Sequence, residues 1–132
     1  MITLIDSSAW IDYFRDADSQ GRSSVRRVLA DDEAATTDAV RLEVLAGTYR
    51  GPTLRELTSF LDGCHDLGQL ARVDVESAVQ IYHRCRRAGE TVRSLNDCLI
   101  AAVALRHEVP VLHNDRDFDV IAEFSDLRVL RA

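Results

Sequence analysis

Short apolar runs alternate with longer amphipathic segments along this chain. The runs ITLI (residues 2–5), VPVLH (109–113) and LRVL (127–130) are typical of buried strands, and EAATT (33–37) is a weaker strand candidate. The segment 64–73 has no clear period and leaves room for an edge strand. The segments between these runs predict helices near residues 7–16, 21–31, 39–47, 54–63, 75–88, 94–108 and 117–124.

Residues that favour helix ends mark the boundaries of these helices. We expect Ser7 or Ser8 to cap the first helix and Asp38 to cap the third. Pro52 suits the first turn of the fourth helix, and Gly89 ends the fifth. The pattern thus predicts β-α units throughout.

Alternating strands and helices predict an α/β protein with a three-layer α/β/α architecture and a mostly parallel central sheet. The length of 132 residues fits one domain, residues 1–132, with a core that needs no disulfides. In such sheets ligands bind at the carboxyl ends of the strands. Side chains that follow the apolar runs are therefore the first candidates for chemistry.

Composition excludes several classes of protein. An acidic residue at position 6 interrupts any signal-peptide core, and the apolar stretch 98–105 is too short to cross a bilayer, so we expect a cytoplasmic chain without a membrane partner. The three cysteines lack CxxC spacing and the four histidines lack HxxxH spacing, which argues against disulfides and zinc. The net charge of −6 is not that of a general nucleic-acid binder, although all 16 basic residues are arginine.

Two aspartates come at the ends of predicted strands. Asp6 follows ITLI directly and is equally compatible with a helix cap and with a metal ligand, and Asp115 comes just after the VPVLH run in the same way. In the same NDRDFD segment, we expect Asp117 to cap the last helix or to contact the ion indirectly, through water or another ligand. We expect Asp119 to face solvent. Asp115 is the best ligand candidate of these three.

Two further acids lie on helices. Glu43 shares a stripe with the small residues Ala39, Ala46 and Gly47, which encloses its carboxylate. Asp97 fits a capping box, with Ser94 as cap. It also faces the apolar side of its helix, where a buried carboxylate needs a partner, and the chain offers no lysine for that purpose.

Repulsion decides what such a group of acids requires. Carboxylates about 5 Å apart at an effective dielectric of about 20 repel by roughly 3 kcal/mol per pair, so four of them rival the stability of a whole domain. The cluster survives when protons or cations fill it. Oxygen ligands without histidine or cysteine select Mg²⁺ or Mn²⁺, which serve phosphate chemistry.

Four segments in order resemble the PIN domain, and more closely the VapC-type toxins of bacterial toxin–antitoxin pairs. The segments are LIDSSAWIDYF, RLEVLAG, SLNDCLIAAVAL and VLHNDRDFDVIA, and together they span essentially the whole chain. Each is a weak motif alone, but the four in order are specific. The resemblance implies that Mg²⁺ or Mn²⁺ is held by Asp6, Glu43, Asp97 and Asp115, with Asp117 as an extra acid.

The resemblance also implies an activity. It predicts a metal-dependent endoribonuclease that hydrolyses structured RNA such as tRNA or rRNA, using water activated by the ion and leaving 5′-phosphate and 3′-hydroxyl ends. Ser7 supplies a hydroxyl where relatives carry threonine, and Arg93 and Arg116 are candidates to bind flanking phosphates. Asn96 receives no role. The implied partners are RNA, a VapB-like antitoxin in a hetero-oligomer, and a second copy in a homodimer.

Two other functions remain compatible with the residues alone. A phosphotransferase or phosphatase domain also begins with an aspartate after its first strand, in the position of Asp6, but such families use a lysine that this chain lacks. A non-catalytic acidic module would bind basic partners and show no metal-dependent turnover.

Overall fold

The structure is a computed structural model that describes residues 1–15, 20–47 and 49–132. Within these ranges every strand pairs in parallel, in the order β3-β2-β1-β4-β5. The strands are β1 (Thr3–Ile5), β2 (Ala34–Thr36), β3 (His65–Asp66), β4 (Val111–His113) and β5 (Val129–Arg131). The helices are α1 (Ser7–Phe14), α2 (Gln20–Ala30), α3 (Asp38–Ala46), α4 (Leu54–Asp62), α5 (Ala71–Arg87), α6 (Leu95–His107) and α7 (Arg116–Glu123).

The predicted α/β class and three-layer architecture are confirmed. Strands β1, β2 and β4 are buried at every residue, as apolar runs covered by helices on both faces should be. The chain builds the sheet outward from β1, first through β2 to β3 and then through β4 to β5. The order reverses between β1 and β4, and a crevice forms at such a point.

Helix α6 supplies much of the core. Its residues Ile100, Ala101, Val103 and Ala104 are fully buried, in agreement with the apolar stretch at residues 98–105. Cys98 on this helix is also buried and free, as is Cys85 on α5. These two cysteines act as small apolar side chains that fill space in the core. In the described ranges, no helix is long and apolar enough to cross a membrane.

Several predicted helix ends were wrong. Asp6, not Ser7 or Ser8, caps α1, because its side chain accepts the Ser8 N–H. Thr37 rather than Asp38 is the N-cap of α3, and Thr53 caps α4, so that Pro52 precedes the cap. The predicted end of the first helix at residue 16 lies outside the described residues, and α1 ends at Phe14.

Helix α5 begins earlier than its apolar pattern indicated, at Ala71 instead of residue 75. The side chain of Asp74 accepts the Leu70 N–H at 2.7 Å and so stabilises this first turn. The predicted stop at Gly89 is confirmed. Gly89 has a φ of +84°, its N–H reaches the Arg86 carbonyl, and the Glu90 N–H reaches Cys85, which is the Schellman pattern.

Candidate active site

Asp6 lies at the carboxyl end of β1, buried to 1% exposure. Its Oδ2 accepts hydrogen bonds from the Ser8 N–H at 3.0 Å and from the Ser8 hydroxyl at 2.5 Å. Its Oδ1 is buried and has no hydrogen-bond partner among the described residues. Burial raises the pKa of Asp6 to about 6, although the Ser8 hydrogen bonds oppose the shift.

Asp97 lies in the first turn of α6 and is 2% exposed. Burial, followed by the charges of Asp6 and Asp115, raises its pKa to about 9. Its Oδ2 also has no hydrogen-bond partner in the part of the chain that the structure describes. The predicted capping box is wrong, since the Ser94 side chain makes no cap hydrogen bond.

The arginine on the same helix does not neutralise Asp97. Arg106, nine residues further along α6, contacts Asp74 on α5 instead, with Nε 2.8 Å from Oδ1. Asp97 therefore sits buried beside other acids, and in the described ranges it forms no salt bridge. A carboxylate in this state is costly unless a proton or a cation joins it.

Glu43 projects from α3 toward α6. It is half-buried, and its Oε1 accepts a hydrogen bond of 2.7 Å from the Asn96 side-chain amide. The same amide nitrogen donates to the Ala39 carbonyl at 3.1 Å. The prediction of a partly enclosed carboxylate is confirmed, and its hydrogen-bond partner is Asn96, a residue that received no role in the sequence analysis.

Asp115 and Asp117 lie at the end of β4. Asp115 caps α7, accepting the Asp117 N–H at 2.9 Å, so the prediction that Asp117 would be the cap is wrong. Asp117 is 2% exposed and reaches back to α6, where its Oδ2 accepts the N–H groups of Arg93 and Ser94 at 3.0 and 3.1 Å. These two hydrogen bonds tie the start of α6 to α7.

The structure brings five of the predicted acids together. One carboxylate oxygen from each of Asp6, Glu43 and Asp97 lies within 4.8 Å of the other two, and the same holds for Asp97, Asp115 and Asp117. Asp97 belongs to both groups. The unpartnered oxygens of Asp6 and Asp97 and the all-oxygen donor set fit a hard divalent cation.

The remaining predicted residues lie around this cluster. Ser7 is buried, and the hydroxyl bonded to Asp6 belongs to Ser8. The Arg93 side chain is exposed, and Arg116 is exposed with its Nη2 3.4 Å from Glu90. The sequence could have identified Ser8 as the partner of Asp6, because it lies only two residues further along the chain.

Comparisons with known proteins agree with this geometry. Residues 3–124 match the sequence profile of the PIN domain. The chain is 43% identical over 127 residues to Ribonuclease VapC11 of Mycobacterium tuberculosis, covering 95% of each chain. A DNA-bound VapBC from Salmonella typhimurium has a TM-score of 0.73 at 15% identity, over 99% of this chain and 98% of that one. VapBC-5 of M. tuberculosis has a TM-score of 0.68 at 21% identity, over 99% and 98%.

Proposed function

This chain belongs to the PIN-domain family and, within it, to the VapC ribonucleases, and from that premise we propose that it is a divalent-metal-dependent endoribonuclease that acts as the toxin of a toxin–antitoxin pair. The match covers 95% of both chains and so supports the assignment over nearly the whole sequence.

One observation carries the metal dependence. Two carboxylate oxygens, Oδ1 of Asp6 and Oδ2 of Asp97, are buried without hydrogen-bond partners among the described residues, at a place where other acids crowd them. An unsatisfied buried carboxylate oxygen costs free energy that a bound cation would recover. We infer that Mg²⁺ or Mn²⁺ binds here, because hard oxygen ligands suit these ions.

We assign roles to the clustered acids on this basis. Asp6, Glu43, Asp97 and Asp115 would hold the ion and are the catalytic residues of the proposal. Asp117 offers an oxygen to the same cluster while its Oδ2 holds the start of α6. The ion, when bound, supplies Lewis acidity that activates water and offsets the negative charge developing on the phosphodiester.

The proposed substrate is structured RNA such as tRNA or rRNA. Attack by water needs no 2′-hydroxyl, so we expect products with 5′-phosphate and 3′-hydroxyl ends. We propose that Arg93 and Arg116, whose side chains are exposed, bind phosphates flanking the cut, and that Ser7 belongs to the same substrate-binding set.

The proposed partners follow from the family. The structurally similar VapBC proteins are toxin–antitoxin complexes, and we propose that a VapB-like antitoxin binds this chain in a hetero-oligomer that also contains a homodimer of the toxin.

The test is cleavage of total cellular RNA by the purified protein. We expect cleavage with Mg²⁺ or Mn²⁺, none with a chelator, and none by Asp6→Asn, with 5′-phosphate ends found by end-mapping. Asp126→Asn is a matched control, because Asp126 is an exposed aspartate outside both acid groups. Cleavage that survives both the chelator and Asp6→Asn would defeat the proposal, and ion binding without turnover would favour a non-catalytic module.

A further inference from the structure

Glu43 is held differently from its neighbours in the acid cluster. Asp6, Asp115 and Asp117 each accept a hydrogen bond from a backbone N–H, which fixes the carboxylate to the fold. The hydrogen bond that the described residues give Glu43 comes from the side chain of Asn96. Glu43 also has one more rotatable bond than an aspartate and is only half-buried, so its position depends more on that contact.

The Asn96 amide is oriented by two acceptors. Its Nδ2 lies 2.7 Å from Glu43 Oε1 and 3.1 Å from the Ala39 carbonyl oxygen. Both partners are acceptors, so the amide nitrogen, and not its oxygen, must face α3, and its two hydrogens can serve one partner each. Because Ala39 lies one turn before Glu43, the amide is anchored to the backbone of the helix that carries Glu43.

A neutral donor suits this position. A lysine or arginine beside Glu43 would orient the carboxylate but would also add a positive charge that competes with a divalent cation. An aspartate would repel Glu43. Asparagine fixes the carboxylate and leaves the charge of the cluster unchanged.

We propose that Asn96 is a positioning residue that holds Glu43 in place for the divalent cation, an inference that rests on the proposed function. Asn96 acts through Glu43 and touches no reacting atom. It also links α3 to the start of α6, next to Asp97, so two of the proposed ligands share one support. Partners of this kind change metal affinity by about 10- to 100-fold when removed.

The test is a double-mutant cycle read by Mn²⁺ titration calorimetry on the protein without RNA. We expect Asn96→Ala to weaken Mn²⁺ binding by about tenfold. In a Glu43→Ala background the same change should have no further effect, because Asn96 then has no carboxylate to hold. An equal loss in both backgrounds, or no loss in either, would overturn the proposal.

Two controls separate the possible failures. Arg41→Ala removes another tether of α3, the hydrogen bond to Asp62, away from the acid cluster, and should leave Mn²⁺ affinity unchanged. The NMR signal of the Asn96 side-chain amide, recorded without metal, should shift in Glu43→Ala, and an unshifted signal would contradict the contact. If the wild-type protein binds no Mn²⁺, the proposed function itself fails; if it binds and Asn96→Ala binds equally well, only the positioning role fails.

Discussion

Asp74 and Asp97 are buried to almost the same extent, at 1% and 2% exposure, and each lies in the first turn of its helix. Their surroundings differ completely. Arg106 contacts both oxygens of Asp74, at 2.8 and 2.9 Å, and hydrogen bonds to that guanidinium hold the pKa of Asp74 below its usual value. Asp97 lies among other acids, and its pKa is raised to about 9.

The difference separates a structural carboxylate from a candidate functional one. Asp74 has its charge balanced within the fold, so it stabilises the α5–α6 contact and offers nothing to a ligand. No described residue balances the negative charge of Asp97, so its burial costs free energy that binding a cation would recover. Burial alone does not tell the two apart; the partner does.

The largest expected effect comes from Asp97→Asn. Removing a proposed ligand should weaken Mn²⁺ binding by more than about a hundredfold, since loss of a supporting residue alone costs up to that much. The free energy of unfolding without metal should not fall, because asparagine has no charged form for burial and the neighbouring Asp6 and Asp115 to penalise. Calorimetry and urea unfolding check the two expectations, and an unchanged Mn²⁺ affinity would contradict the contrast.

Asp74→Asn should act in the opposite way. It leaves Arg106 half-paired beside the core, and we expect a loss of about 2 kcal/mol in the free energy of unfolding, below the cost of a fully buried pair because Arg106 is 27% exposed at its side chain. Mn²⁺ affinity of the folded variant should match wild type. Urea unfolding followed by circular dichroism measures the first quantity; a variant as stable as wild type would show that the pair is not structural.

The smallest expected effect, taken per pH unit, is the pH dependence of the free energy of unfolding. It has opposite signs for Asp97 and Asp74. Because the pKa of Asp97 is raised, this residue keeps its proton in the folded protein between about pH 4 and 9. In the unfolded chain it has lost the proton over the same range. The free energy of unfolding of the metal-free protein therefore falls with pH there, by about 1.4 kcal/mol per unit at most. The pKa of Asp74 is lowered, so its stabilisation is present above about pH 4 and is lost as pH falls further.

Urea unfolding in chelator from pH 3 to 8 checks these slopes. Asp97→Asn should flatten the curve between about pH 7 and 8, above most of the range in which Asp6 titrates, and Asp74→Asn should reduce the loss of stability below about pH 4. A wild-type curve that rises from pH 7 to 8 would be incompatible with a raised pKa at Asp97.

Much of the fold was predictable because its signals are local. The apolar runs identified β1 and β4, and the rule that sites form at the carboxyl ends of parallel strands selected Asp6 and Asp115. Helix ends were less predictable. Asp6 and Asp115 cap α1 and α7 while also lying in the acid cluster. Sequence reasoning considered Asp6 as a cap beside Ser7 and Ser8, but it assigned the cap of α7 to Asp117.

By itself, the sequence determined which residue types were available: acids after strands, no lysine, and an apolar α6 with an aspartate in its first turn. Only the tertiary structure decided how they pair. Arg106 lies nine residues after Asp97 on α6, too far for a pair within the helix, and packing of α5 against α6 pairs it with Asp74. Asn96 bonds Glu43, 53 residues away, and Asp117 bonds the backbone of Arg93 and Ser94, 24 and 23 residues away. Such contacts have no period in the sequence, because they depend on where whole elements meet.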